Sequence, residues 1–200
     1  STTMNIMTGC LSATNGTVRI GGYDIFEEPQ MAKKLMGYLP EQPPLYMNET
    51  PVEYLKFVGA AKGLKGMELA QQVEEVIDQT KIGSVRNKLI SALSKGYKQR
   101  VGLAQAIMGY PEIIILDEPT VGLDPKQIIE IRYLIKTLSE KHTVILSSHI
   151  LSEVSAVCDY VMIIAHGKLV ASDTPDNLSK LMLGSNVLDL TIKGNKTMIR

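Results

Sequence analysis

The chain has 200 residues, 44% hydrophobic and 21% charged, which suits a globular protein with a real core and excludes a low-complexity or disordered one. Its 21 basic and 21 acidic side chains cancel, which argues against a general nucleic-acid binder with its usual excess of positive charge. The cysteines, Cys10 and Cys158, stand far apart in no metal-ligand spacing, so the pattern is not that of a secreted disulfide scaffold, and no apolar run approaches the length of a membrane span.

Residues 1–11 read as a helix with Met4, Met7 and Leu11 on one side. Residues 17–20 and 23–26 flank Gly21-Gly22, a hairpin signal, and 35–39 form a short buried strand. The texture then changes. Residues 51–61 open on a proline and carry Val52, Leu55 and Val58 at helical spacing; 67–80 continue with Leu69, Val73, Val76 and Ile77. Residues 43–91 are therefore expected to be a helical insert. Strand and helix alternation resumes with a helix over 95–109, a strand over 112–116 and a helix over 125–141 that repeats Ile128, Ile131, Ile135 and Leu138. Strands follow at 143–147 and 159–164. Gly167-Lys168 turns into a strand over 169–172, and Thr174-Pro175 starts a helix running to 184. Residues 187–193 alternate like a strand. The alternation predicts an α/β fold around a parallel sheet. Its expected parts are 1–42 and 92–184 as the core, 43–91 as the insert, and 185–200 as the start of an appendage.

The most informative segment is Ile113-Ile114-Ile115-Leu116-Asp117-Glu118, a buried parallel strand ending in two carboxylates. The carboxyl edge of an open α/β sheet is where ligands bind, and an aspartate there is placed to hold Mg²⁺. Glu118 can polarise a water for attack on a phosphoryl group. One helix upstream, Ser94 and Gly96 open a helix, where a hydroxyl, free N–H groups and the positive helix end converge on an anion, although a plain N-cap uses the same residues. Downstream come Gly122-Leu123-Asp124-Pro125 and, after another strand, His149. Gln42 follows the strand at 35–39, and its amide can reach metal, water or phosphate.

The order Gln42, Leu93-Ser94-Lys95-Gly96, the strand ending in Asp117-Glu118, Gly122-Leu123-Asp124 and His149 resembles the ATP-binding cassette (ABC) ATPases over nearly the whole chain. The texture is similar, within them, to export systems whose membrane domain is a separate polypeptide. The resemblance implies a P-loop NTPase-like parallel core, an antiparallel β segment and a helical insert, with ATP and Mg²⁺ as ligands. It implies that Gln42 contacts Mg²⁺ and senses the membrane partner, that Asp117 organises the metal, and that Glu118 is the catalytic base. His149 is implied to touch the γ-phosphate, and Asp124 to lie at a dimer seam beside the nucleotide. Ser94 and Gly96, with Lys95 between them, are implied to contact ATP held by a second ABC ATPase subunit, identical or different. Ser1, with Thr2 beside it, resembles the last, Mg²⁺-binding residue of the phosphate loop. The further partner implied is an integral membrane permease subunit, with this chain cytoplasmic and peripheral on the inner face of the membrane and no nucleic acid involved. Residues 43–47, Pro-Pro-Leu-Tyr-Met, are the expected segment reporting to that permease.

Two departures from the family pattern stand out. Its usual signature reads LSGGQ, and here Lys95 replaces the first glycine and Tyr97 the glutamine. The glycine-rich cradle and lysine expected before Ser1 are not in the sequence, so this polypeptide alone is expected to bind ATP weakly or not at all. Competing readings are a soluble ABC ATPase working on ribosomes or chromosomes, and a non-catalytic binding remnant.

Overall fold

The computed structural model describes residues 2–183, so Ser1, the strand expected over 187–193 and the appendage over 185–200 lie outside the described residues. The chain separates into two compact units, residues 1–150 and 151–200.

The first unit opens with helix α1 (Thr2–Met7), shorter than the expected helix over 1–11 because the chain turns at Gly9, with φ 71°. A hairpin follows, β1 (Arg19–Ile20) and β2 (Tyr23–Asp24), turning through Gly21 and Gly22 at φ 57° and 88°, the left-handed pair that matches hairpin twist. Asp24 Oδ1 then accepts the N–H groups of Phe26 (2.9 Å) and Glu27 (3.2 Å), turning the chain into α2 (Pro29–Lys34). This six-residue helix was not expected; it is too short to show a helical period.

The sheet is parallel, with β3 (Met36–Leu39), β4 (Ile113–Asp117) and β5 (Thr143–Ser147) in that order. Leu39 lies opposite Leu116, and Asp117 opposite Ser147. On one face Met36 and Ile115 join Met4, Ile20, Ile25 and Ala32 in a buried cluster. On the other runs α5 (Lys95–Ile107). It approaches β3 so closely that a Cβ on Gly37 would lie 1.8 Å from the carbonyl oxygen of Ala106, and one on Gly102 would lie 2.7 Å from Leu39 Cδ1. Two glycines thus clamp the helix carrying Ser94 to the strand leading to Gln42.

Between β3 and α5 stand the helices of the insert, α3 (Pro51–Ala61) and α4 (Gly66–Gln79). Thr50 and Glu53 form a reciprocal capping box at the start of α3, behind which Pro51 presets the first turn. Helix α4 buries Val73, Val76 and Ile77. Arg100, buried in α5, donates to the Thr80 carbonyl (3.1 Å) and to the Glu130 carboxylate, tying the end of α4 to α6 (Pro125–Ser139). Helix α6 buries Ile131, Leu134, Ile135 and Leu138, much as the periodicity predicted.

The second unit contains α7 (Leu151–Val157), the antiparallel pair β6 (Val161–Ala165) and β7 (Lys168–Asp173), and α8 (Pro175–Leu183). The β6–β7 turn is His166-Gly167, at φ 51° and 72°. Helix α7 had no counterpart in the expected elements, again because seven residues carry little periodic signal.

Candidate active site at the carboxyl edge of the sheet

Parallel pairing brings the carboxyl ends of β3, β4 and β5 to one edge. Asp117 ends β4 and is 3% exposed. Its neighbour across the ladder is Ser147, whose hydroxyl donates to Asp117 Oδ1 at 2.5 Å and accepts the Glu118 N–H at 3.0 Å. One serine therefore fixes both acids, holding the side chain of the first and the backbone of the second. Glu118 itself adopts φ 50°, a left-handed conformation that costs a non-glycine residue about 1–2 kcal/mol and is characteristic of functional positions. Its Oε2 meets His149 Nδ1 at 3.0 Å, with the Glu118 side chain 19% exposed and that of His149 69% exposed. On β3, the Tyr38 hydroxyl donates to Asn5 Oδ1 of α1 at 3.2 Å. Burial pushes the Tyr38 hydroxyl above its ordinary range, and the negative charge of Asp117 adds to the effect, as does Cys10. Gln42 lies exposed in the loop beyond Leu39, at the same edge.

A second cluster forms where α5 and α6 begin. Ser94 is the N-cap of α5, its hydroxyl accepting the Tyr97 N–H over a long 3.4 Å. The N–H groups of Lys95 and Gly96, in the first turn, have no acceptor within the helix. The Lys95 ammonium lies over Gly122 so closely that a Cβ there would be 1.9 Å from Nζ. Gly96 rests on the Gln127 amide, whose atoms would sit 2.6–2.8 Å from a Cβ at position 96. Gln127 in turn forms a capping box with Asp124. Its N–H donates to Asp124 Oδ1 at 2.9 Å, and its Oε1 accepts the Asp124 N–H at 3.4 Å. On the other side of α5, the hydroxyls of Tyr97 and Ser84 are 3.3 Å apart.

A family model described as ABC transporter matches residues 1–121. The chain belongs to the ABC transporter family. It is 34% identical over 195 residues to the linearmycin resistance ATP-binding protein LnrL of Bacillus subtilis (strain 168), covering 97% of this chain and 63% of that one. To the bacitracin transport ATP-binding protein BcrA of Bacillus licheniformis it is 37% identical over 182 residues, 90% of this chain and 58% of that one. Thus it spans roughly six-tenths of the length of these curated relatives. A solved ATP binding subunit of an ABC transporter superposes with TM-score 0.79 at 27% identity, covering 90% of this chain and 76% of that one. The structure of cbiO1 from Clostridium perfringens, part of the ABC transporter complex cbiONQ, superposes with TM-score 0.80 at 25% identity over 90% of this chain and 74% of its own. These matches establish the ABC ATPase fold, an α/β arrangement with a parallel core and a helical insert.

In family terms, Asp117, Glu118 and His149 converge directly, and Gln42 stands at their edge. Ser94, Lys95, Gly96 and Asp124 gather separately, linked through Gly122 and Gln127, with residues 118–124 running between the two groups. Thr2 is exposed at the start of α1. Sequence reasoning missed Ser147, Tyr38 and Gln127. Ser147 becomes visible only once the β4–β5 register is known. For Gln127 the Asp-x-x-Gln spacing signals a cap, but nothing in the sequence signals its contact with Gly96.

Proposed function

We propose that this chain is the nucleotide-binding part of the ATP-hydrolysing subunit of an export-type ABC transporter. The observation that supports it best is the Asp117–Ser147–Glu118–His149 arrangement at the carboxyl edge of the sheet. In it a buried acid suited to a metal and a positioned base sit side by side.

The donor set fits Mg²⁺ held together with a triphosphate. Among the described residues there is no group of three or more His, Cys, Asp or Glu side chains able to hold a metal by themselves. A single hard carboxylate such as Asp117, completed by substrate phosphates, is how Mg²⁺ is commonly bound. When bound, Mg²⁺ would neutralise charge on the phosphate oxygens. Ser1 and Gln42 would complete the protein ligands, and Thr2 would lie at the phosphates. Glu118 would take the proton from the attacking water, and His149, hydrogen-bonded to Oε2, would orient that carboxylate and contact the γ-phosphate of bound ATP. Such a base supplies about 10²–10⁴ in rate.

Ser94, Lys95 and Gly96 would serve ATP held by a second copy of this subunit, with Asp124 at the seam. Lys95 is informative here. A cation in the first turn of a helix is set against the positive end of the helix dipole, a conflict that a bound phosphate removes. The test uses the full-length protein carrying Glu118→Gln. Light scattering is expected to show a dimer with Mg-ATP and a monomer with Mg-ADP; a monomer in both would sink the reading.

No helix among the described residues is long and apolar enough to cross a membrane. Coupling to a permease would therefore use a surface, and the insert offers one beside Gln42. Leu45 turns inward, while Tyr46, Met47 and Phe57 remain 49%, 44% and 53% exposed. The Tyr46 ring sits 5.6 Å from Tyr54 and 5.2 Å from Phe57. This aromatic patch would hold the integral membrane subunit, placing the chain on the cytoplasmic face. Replacing Tyr46 and Phe57 with alanine should abolish co-purification of the permease; unchanged co-purification rules the patch out.

A further inference from the structure

The two motifs that would face the partner's nucleotide are joined within one subunit by a residue outside both. Gln127 does two things at once. Its backbone and Oε1 close the capping box on Asp124. Its side-chain amide also forms the floor beneath Gly96, close enough that even a methyl group there would collide at 2.6 Å. A parallel contact lies alongside, with the Lys95 ammonium over Gly122. The segment 94–96 and the segment 122–127 therefore touch at two points along their length. The capping box fixes the Gln127 side chain, so Gly96 is set against a support whose own position depends on Asp124.

We infer that Gln127 is a positioning residue that locks the signature segment to the Asp124 turn in the same subunit, so that both reach the partner's nucleotide as one block. This rests on the ATP-sandwich reading above, and the experiment separates the two. The coupling comes from volume under Gly96 as well as from the cap. Gln127→Ala removes the floor and the side-chain half of the cap, the bond to Oε1; Gln127→Met removes that half but refills the floor, and the Gln127 N–H still donates to Asp124 Oδ1 in both. A purely structural cap would make Gln127→Ala and Gln127→Met behave alike.

The experiment places each substitution in the full-length Glu118→Gln protein and titrates Mg-ATP while following dimerisation by light scattering. Amide hydrogen exchange is measured in parallel on the nucleotide-free protein. With Gln127→Ala, the Mg-ATP concentration for half dimerisation is expected to rise about tenfold, the scale of an energetic coupling between residues in contact. Exchange at the Tyr97 and Lys98 amides, which bond to Ser94, should speed up without nucleotide. Gln127→Met should keep both readouts near the parent while the Asp124 amide exchanges faster, reporting loss of the bond to Oε1 alone. If alanine and methionine act identically, or neither moves the α5 amides, the inference is overturned. If the Glu118→Gln parent stays monomeric with Mg-ATP, the sandwich reading falls and this inference falls with it.

Discussion

Helix α5 has a lysine at each end, and the two are in opposite circumstances. At the carboxyl end, Lys62, the C-cap residue of α3, donates to the carbonyl of Met108, the C-cap of α5, where a cation meets the negative end of the helix dipole. At the amino end, Lys95 occupies the first turn, where the same dipole opposes it, and the serine cap beside it makes only a 3.4 Å bond. The start of α6 shows what a start built for stability looks like: Asp124, Pro125 and a reciprocal Gln127 cap. One end of α5 serves the fold, whereas the other gives up local stability. Such local conflicts are expected where a ligand completes the electrostatics.

The comparison breaks most sharply at Lys95. With Lys95→Glu, the helix start should gain about 0.3–1 kcal/mol in a denaturant titration, because charge and dipole then agree. ATP turnover of the full-length protein should fall about 10²-fold if the lysine serves a phosphate in the closed state. Equal turnover with raised stability would show that Lys95 is only a poor helix residue.

A smaller effect sharpens the other end. Burial pulls the Lys62 ammonium down to about 8 from its ordinary 10.5. Between those values the unfolded chain binds more protons than the folded one, so stability rises as pH increases from about 8 toward 10.5. Tyr54, pushed up by burial to about 12, acts oppositely above pH 10, where the unfolded chain ionises first. Thermal unfolding followed across pH 8 to 10 should lose most of this rise in Lys62→Met; an unchanged slope would place the titration elsewhere.

How much of this could be read beforehand follows from the kind of signal. Long periodic helices such as α6, and the apolar strand β4 ending in Asp117-Glu118, announce themselves. The short helices α2 and α7 do not, since a turn or two carries no period. The acids, Ser94, Gly96 and His149 could be singled out because their residue types and order are distinctive. Ser147 was not, because its role depends on ladder register, and a serine ending a strand looks like any other. The Lys95–Gly122 and Gly96–Gln127 contacts were invisible for a different reason: they join the start of α5 to α6 and the turn before it, far away in sequence, and glycine leaves no trace of what it lets approach.

The left-handed backbone at Glu118 sets this position apart under selection. At φ 50°, glycine or asparagine would sit there more comfortably than glutamate, gaining about 1 kcal/mol for glycine. On the proposed role as base, it is the chemistry of the carboxylate that holds glutamate in place. A gene copy released from the need to hydrolyse nucleotide would therefore be pulled toward glycine at codon 118 by stability alone, while buried neighbours such as Leu116 stayed as they are. On that proposal, position 118 is a natural marker of decay, one that would register loss of the reaction before loss of the fold.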